Sequence, residues 1–195
     1  ERWPRGRKLS VTQIRTWVRD PYAIYAREIL GLRPLGELDE ALGAREYGSA
    51  IHPGLDSFMK AFPARLPEDS ARQLTKAFEG ALLEAGFPEH HLVKESIRLA
   101  QAAEDMTALI GARRSEGWQY VRAENYGIVT LPEIDFTLSS YADLIEKSAQ
   151  GYAVIDYKTG TPATESVVQA GFDPQLPLTG VMLARGGFEK VPAGP

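Results

Sequence analysis

The hydrophobic pattern changes once along the chain, at Gly117, and this change limits the folds that the chain can adopt. Before Gly117, apolar residues recur every three or four positions, as is typical of amphipathic helices. After it they alternate and β-branched residues become frequent, which predicts strands. The order predicts an α/β fold with a helical N-terminal half, residues 10–117, followed by a sheet-containing core, residues 118–195.

The helical half carries several start and stop signals. Ser10 precedes the first apolar period and Gln13 follows three residues later, which is a capping-box pattern. Asp20-Pro21 interrupts this helix, and its pattern resumes up to Gly31. Pro53 predicts a kink or a late start in the second helix, because proline removes a backbone donor. Further helices are predicted over roughly 45–62, 68–85 and 89–115, the last two ending at Gly86 and Gly117.

Three strands are predicted in the second half. They span Tyr120 to Val129, Ile134 to Leu144, and Tyr152 to Tyr157, with a turn at Pro132 between the first two. The third is an apolar run of the kind that suits a buried central strand. Helical spacing returns near 164–170 and 174–185.

Composition excludes several classes of site. The chain has no cysteine, so disulfides, thiolate zinc sites and cysteine-ligated iron–sulfur clusters are excluded. A net charge of −4 is unusual for a free-standing nucleic-acid binder, although carboxylates that hold metal ions are neutralised when loaded. No apolar run approaches the roughly 20 residues that cross a bilayer, so a membrane span is excluded and no membrane partner is expected. For a chain without cysteines, a cytoplasmic location is the default.

Asp156 and Lys158 stand two residues apart at the end of the third predicted strand, so their side chains share one face. The carboxylate can hold Mg²⁺, and the ammonium can orient water or stabilise charge on a phosphate, as phosphodiester hydrolysis requires. Asp143, on the preceding strand, supplies a second acid if the two strands form a hairpin. Taken alone, Asp-X-Lys is more often a surface ion pair worth under about 1 kcal/mol.

Five motifs in order add support. Three of them resemble motifs of the PD-(D/E)xK nuclease superfamily, and more narrowly of the RecB-like nuclease domains of bacterial helicase–nucleases. These three are Ala142-Asp143, Val154 to Gly160 and Gln175 to Leu178. Ser10 to Leu32 resembles the opening helix of that family, and Gly48 to His52 its histidine-bearing helix. The match is best with the AddB family in its alphaproteobacterial form. The resemblance implies a restriction-endonuclease-like core, with a mixed central sheet flanked by helices.

The resemblance also implies a metal site. His52, Asp143 and Asp156 would bind a divalent ion, together with the backbone carbonyl of Tyr157. Glu124 occupies the place where many superfamily members keep a further acid. The implied ion is Mg²⁺, with Mn²⁺ as a substitute, and no iron–sulfur cluster accompanies it.

The remaining implied residues act on DNA. Lys158 would position or activate the attacking water, and Gln175 would steady the site or the DNA strand. The implied function is a divalent-metal-dependent nuclease domain of a double-strand-break repair helicase–nuclease. It would hydrolyse single-stranded DNA and work with an AddA-like helicase–nuclease subunit. Residues 10–195 are expected to form one nuclease domain, and the loop-like end after Val191 together with the missing initial methionine indicates a piece of a longer protein.

Three departures from the family pattern keep other interpretations open. Pro53 follows the histidine, Thr179 stands where the glutamine motif often has tyrosine, and Asp20 stands where iron–sulfur members have a cysteine. A catalytically inactive DNA-binding or scaffolding module of the same fold is therefore the alternative. A stand-alone nuclease is a further alternative, which the missing start and end and the absence of cysteines disfavour.

Some residues are assigned structural rather than functional roles. The basic run that ends at Lys8 favours a solvated linker over residues 1–9, rather than a phosphate-contacting arm. Trp17, Tyr22 and Tyr25 could stack on bases, but their helical spacing predicts core packing.

Overall fold

The computed structural model describes residues 7–33, 44–158 and 160–193. The chain forms two compact units, the first from residues 1–38, 124–145 and 151–195, and the second from residues 39–123 and 146–150. Two of the boundaries between these units fall within long strands, after Ala123 and after Ile145. The predicted boundary next to Gly117, inside one nuclease domain, stays a prediction.

The described part of the second unit holds the three long predicted helices. These are α3 (Ala44–Ala61), α4 (Ser70–Glu84) and α5 (Glu89–Ser115), with α4 packed against the other two. Helix α3 runs through Pro53, so the predicted late start is wrong. At Gly54 a Cβ atom would lie 2.8 Å from the carbonyl oxygen of Ala77, so the absence of a side chain lets α3 approach α4 closely.

Helices α4 and α5 both end next to a glycine, as predicted. Gly86 and Gly117 have φ of +90° and +92°, in the left-handed region that glycine adopts without strain. The next residues turn back and donate to the last helical turns, Phe87 to the Leu82 carbonyl and Trp118 to the Arg113 carbonyl, both at 3.0 Å.

The first unit opens with β1 (Lys8–Ser10), α1 (Val11–Arg19), α2 (Pro21–Ile24) and a π-helical turn (Tyr25–Ile29). The predicted capping box is confirmed: Ser10 Oγ accepts from the Gln13 amide at 3.1 Å, and Gln13 Oε1 accepts from the Ser10 amide at 2.7 Å. The predicted linker differs from the structure at its end, because Leu9 is fully buried in a strand; residues 1–6 lie outside the described residues.

The aromatic residues of this region are exposed. The prediction that Trp17, Tyr22 and Tyr25 pack in the core is wrong. For Tyr22 and Tyr25 the reason is local: Asp20 leaves helical geometry, with φ −146° and ψ 86°, and caps a new helix. The helical period therefore restarts at Pro21 and cannot be extrapolated across the break.

The described residues form a four-stranded mixed sheet flanked by helices, which confirms the predicted fold class. Its strands are β1, β2 (Gln119–Leu131), β3 (Phe136–Ser148) and β4 (Gly151–Ile155), and it is followed by α6 (Glu165–Gln169) and α7 (Gln175–Ala184). The order is β1-β3-β2, and β4 also pairs with β3, so β3 is central. β1 runs parallel to β3 with Leu9 opposite Leu138.

Two features of this sheet place the candidate site. β4 ends at Ile155, so Asp156 and Lys158 follow the strand instead of closing it as predicted. Helix α7 packs against β4 and against α1.

Among the described helices, none combines the length and the apolarity that a membrane crossing needs.

Candidate functional site

The β2–β3 pair has one buried and one open face. Gly127 and Val129 on β2, and Leu138 and Ala142 on β3, are buried. The residues between them point to the opposite face, because successive side chains alternate in a strand. Several of these are exposed: Tyr126, Ile128 and Thr130 on β2, and Tyr141 on β3.

Cross-strand contacts fix the register on the open face. As the residue number rises along β2, the number of its partner on β3 falls by the same step, so the two strands run antiparallel. The three contacts are Thr130 with Thr137 (hydroxyls 3.5 Å apart), Tyr126 with Tyr141 (ring centroids 5.0 Å apart) and Glu124 with Asp143 (one carboxylate oxygen of each within 4.8 Å).

Glu124 and Asp143 therefore form an acid pair in the middle of the two strands. Glu124 is exposed and has φ +46°, a conformation that residues other than glycine rarely adopt. Asp143 is half-buried, and its Oδ2 accepts a hydrogen bond from the backbone amide of Tyr157 at 2.7 Å. This bond joins the central strand to the segment that follows β4.

Asp156, in that segment, has a partner for each carboxylate oxygen. Its Oδ2 lies 2.6 Å from Lys158 Nζ, and its Oδ1 accepts from Gln175 Nε2 at 2.6 Å. The side chain of Asp156 is 11% exposed and that of Lys158 is 40% exposed. The pair therefore differs from the freely solvated ion pair that Asp-X-Lys alone would suggest.

Helix α7 positions Gln175 through a contact that the sequence did not predict. Thr179, which replaces the tyrosine usual in the glutamine motif, is buried one turn later. Its hydroxyl donates to the Gln175 carbonyl at 2.8 Å and lies 3.2 Å from the Ser140 hydroxyl on β3. The i, i+4 spacing of Gln175 and Thr179 was the only sequence signal for this link.

The remaining predicted ligand lies in the second unit. His52 is half-buried on α3, next to an exposed Pro53. Its place among the ligands stays a prediction. So does the role of the Tyr157 carbonyl, whereas the Tyr157 amide has the contact described above.

The acid pair suits a hard divalent cation. Carboxylate oxygens are the ligands that Mg²⁺ prefers, and two oxygens that bind one Mg²⁺ at about 2.1 Å lie at most about 4.2 Å apart. The oxygens of Glu124 and Asp143, within 4.8 Å, need only a small side-chain adjustment to meet this limit. The residues therefore fit the metal that the resemblance implies.

A family model described as the PD-(D/E)XK nuclease superfamily matches residues 8–195. The chain belongs to this superfamily. PD-(D/E)XK proteins are nucleases and generally depend on a divalent metal. The match begins at Lys8, the first residue of β1.

The chain is also similar to uncharacterized proteins of three Rickettsia species. It is 29% identical over 189 residues to one from Rickettsia conorii, 29% over 187 residues to one from Rickettsia felis, and 28% over 193 residues to one from Rickettsia typhi. The matches cover 92–93% of this chain. The chain spans 22% of the length of each of these relatives.

Proposed function

We propose that this PD-(D/E)XK chain is a divalent-metal-dependent DNA nuclease domain that hydrolyses phosphodiester bonds of single-stranded DNA. The observation that carries the proposal is that Tyr157 links two pairs of charged residues, Asp156 with Lys158 and Asp143 with Glu124. Tyr157 lies between Asp156 and Lys158, and its amide holds Asp143, which in turn faces Glu124. The proposed acids for a metal and the proposed cation for a phosphate are thereby linked through Tyr157.

In this proposal the acids hold the ion. Glu124 and Asp143 supply carboxylate oxygens, and Asp156, the carbonyl of Tyr157 and His52 are the further ligands that the resemblance implies. When bound, the ion supplies Lewis-acid chemistry that makes water a better nucleophile and neutralises charge on the phosphate.

Lys158 acts on the developing charge. Its ammonium is held by Asp156, at 2.6 Å, so it is oriented before the substrate arrives. A fixed cation stabilises negative charge on a phosphate without reorganisation during the reaction. Gln175 contributes by holding the other oxygen of Asp156, and together with Lys158 it is the proposed DNA contact.

The proposed setting is an AddB-like subunit of a helicase–nuclease that repairs double-strand breaks together with an AddA-like subunit. The ordered motifs from Ser10 to Leu178 support it. The proposed subunit is longer than this chain, which matches 22% of the length of its relatives.

The test is cleavage of an end-labelled single-stranded oligonucleotide, and of the same sequence as a duplex, during a titration with Mg²⁺ or Mn²⁺. Wild type is compared with Lys158→Ala and with Lys76→Ala, which removes an exposed lysine from α4. We expect metal-dependent cleavage of the single strand that is lost in Lys158→Ala and retained in Lys76→Ala.

Other outcomes would overturn parts of the proposal. Tight DNA binding that needs no metal, without cleavage, would favour the catalytically inactive DNA-binding module. Preferred cleavage of the duplex would remove the single-strand specificity, and full activity in Lys158→Ala would remove the assigned role of this lysine.

A further inference from the structure

A pair of tyrosines lies exposed on the open face of β2 and β3. Tyr126 and Tyr141 are 42% and 62% exposed, with ring centroids 5.0 Å apart and planes inclined by 51°. Lys8, on β1, donates a hydrogen bond from Nζ to the Tyr126 hydroxyl at 3.1 Å. Hydrophobic patterning alone does not predict a pair of rings that is open to solvent.

The tyrosine pair is the next pair along the two strands from the acids. Tyr141 precedes Asp143 by two residues on β3, and Tyr126 follows Glu124 by two residues on β2. Side chains two residues apart in a strand share a face and are roughly 7 Å apart. A chain molecule lying along this face therefore reaches the acid pair directly after passing the rings.

Aromatic side chains that are both exposed and held in place are suited to bind flat apolar rings. Bases in a single strand have accessible faces, whereas those in a duplex are stacked on each other, so the single strand is the matching ligand. Lys8 adds a positive charge for the phosphate backbone in a chain whose net charge is −4. A hydroxyl on each ring and the hydrogen bond from Lys8 fit a nucleic acid better than an apolar protein surface, although Ile128 on β2 is also exposed.

We propose that Tyr126 and Tyr141 stack the bases of a single nucleic-acid strand that continues to the Glu124–Asp143 acid pair, while Lys8 contacts one of its phosphates. This inference rests on the proposed nuclease function and adds a binding subsite to it. Stacking is tolerant of base identity, because every base has a π face. The subsite would therefore bind strands of differing sequence.

The test measures strand binding without catalysis. A fluorescein-labelled twelve-nucleotide oligo(dT) and an abasic strand with the same number of phosphates are titrated with protein in EDTA, and anisotropy gives Kd. For oligo(dT) we expect Tyr141→Ala to raise Kd about 5- to 100-fold, the equivalent of one lost stacking contact. Tyr141→Phe should stay within about twofold, since the ring is retained.

A matched control and a salt titration separate stacking from charge. Tyr22→Ala removes another exposed tyrosine that contacts a second ring, that of Tyr25, and should leave Kd unchanged. Lys8→Ala should make the dependence of log K on log salt shallower by about 0.7, the value for one phosphate contact on a single strand. Tyr141→Ala should leave this slope as it is.

Several results would overturn the subsite. These are an unchanged Kd in Tyr141→Ala, an equal loss for oligo(dT) and the abasic strand, or the same loss in Tyr22→Ala. Photocrosslinking of wild-type protein to a 5-iodouracil oligonucleotide tests it without any variant: adducts should map to the peptides of Tyr126 or Tyr141, and adducts only elsewhere would contradict it.

The outcomes also separate this inference from the proposed function. Base-dependent binding that needs Tyr141, in a protein that does not cleave, would retain the subsite and reject the nuclease. Metal-dependent cleavage with oligo(dT) affinity unchanged in Tyr141→Ala would retain the nuclease and reject the subsite. In that case a protein partner becomes the better explanation of the exposed rings.

Discussion

The backbone amide of Tyr157 donates a hydrogen bond to Oδ2 of Asp143 at 2.7 Å, and this bond ties the segment after β4 to the central strand. It also orients the Asp143 carboxylate relative to Glu124, whose oxygen lies within 4.8 Å. Two roles of Asp143, as an acceptor that shapes the site and as a charge that holds a cation, can therefore be separated by substitution.

Asp143→Asn keeps an oxygen that can accept from the Tyr157 amide but removes the negative charge. We expect the fold to be retained, while Mn²⁺ affinity falls by at least about 100-fold, because even residues that only support metal ligands contribute about 10- to 100-fold. Calorimetry with Mn²⁺ measures the affinity, and the thermal midpoint checks the fold. Asp135→Asn is the control: it removes the same charge from an exposed turn, at φ +48°, which asparagine tolerates. Wild-type Mn²⁺ affinity in Asp143→Asn would reject Asp143 as a ligand.

Gln175→Glu would place a second carboxylate against Oδ1 of Asp156, where the amide now donates at 2.6 Å. Two adjacent carboxylates resist ionising together, so this pair takes up a proton more readily than an isolated acid. We expect cleavage to be lost at neutral pH and to return partly toward about pH 5, where a shared proton restores the hydrogen bond.

Gln175→Ala provides the comparison for that pH profile. It removes the contact without adding charge, so the rate should fall by about 10- to 100-fold with no recovery at low pH. Rate profiles of the two variants that have the same shape would show that Gln175 does not act through Asp156.

The sequence predicted the parts of this fold that depend on local signals. The Ser10–Gln13 capping box and the helix ends at Gly86 and Gly117 are fixed by neighbouring residues, and all were found as predicted. β1 was missed because three residues are too few to show a period, and because its burial depends on pairing with the distant β3.

The candidate site shows the same limit. Period-two alternation predicts which residues of a strand share a face, but it leaves the register open, since a slip by two residues keeps the same face inward. The pairing of Glu124 with Asp143, and of Tyr126 with Tyr141, follows from the register alone. The resemblance supplied Asp156, Lys158 and Gln175 as candidates, but not their mutual hydrogen bonds.

Gly127 lies on the buried face of β2, three residues from Glu124, where a Cβ atom would come within 2.5 Å of the Phe188 ring. Phe188 is itself buried and forms a bridge to Gly127, so the ring has little room to move. Gly127→Ala should destabilise the fold by about 1–3 kcal/mol through overpacking. Urea unfolding measures this. Gly180→Ala, inside α7 with no atom near the new methyl group, should instead stabilise by about 0.5–1 kcal/mol. Equal effects of the two substitutions would contradict the steric argument.

A hydrogen bond from Lys8, with a second contribution from Ser139, lowers the pKa of the Tyr126 phenol below its usual value of 10. Lys8→Met should raise this pKa toward 10, which NMR titration of Cζ-labelled tyrosines would detect, with Tyr126→Phe assigning the signal. Because the folded-state pKa is the lower one, the associated stability is present above the unfolded pKa and is lost as pH falls through the folded pKa. At neutral pH the phenol is protonated and this contribution is absent, so Lys8→Met should not change the free energy of unfolding through it. An unshifted Tyr126 signal in Lys8→Met would contradict the hydrogen bond.

Glu146 is a charged residue with 2% exposure on β3, and it accepts a hydrogen bond from Nε of Arg113, whose guanidinium lies 4.7 Å from the centre of the Trp118 ring. Glu146→Ala leaves this largely buried cation without its counter-charge, so we expect a loss of about 3 kcal/mol in urea unfolding. Glu116→Ala, at an exposed position close to the same helix end, should stay within about 0.5 kcal/mol.

The double variant Glu146→Leu with Arg113→Met decides what the pair contributes. Apolar residues of similar size avoid the desolvation of two charges, so the double variant should recover most of the stability that Glu146→Ala loses. A stable double variant would mean that the ion pair adds little net stability to the fold. A double variant as unstable as Glu146→Ala would mean that the ion pair itself stabilises the fold, by more than the packing of two apolar side chains can replace.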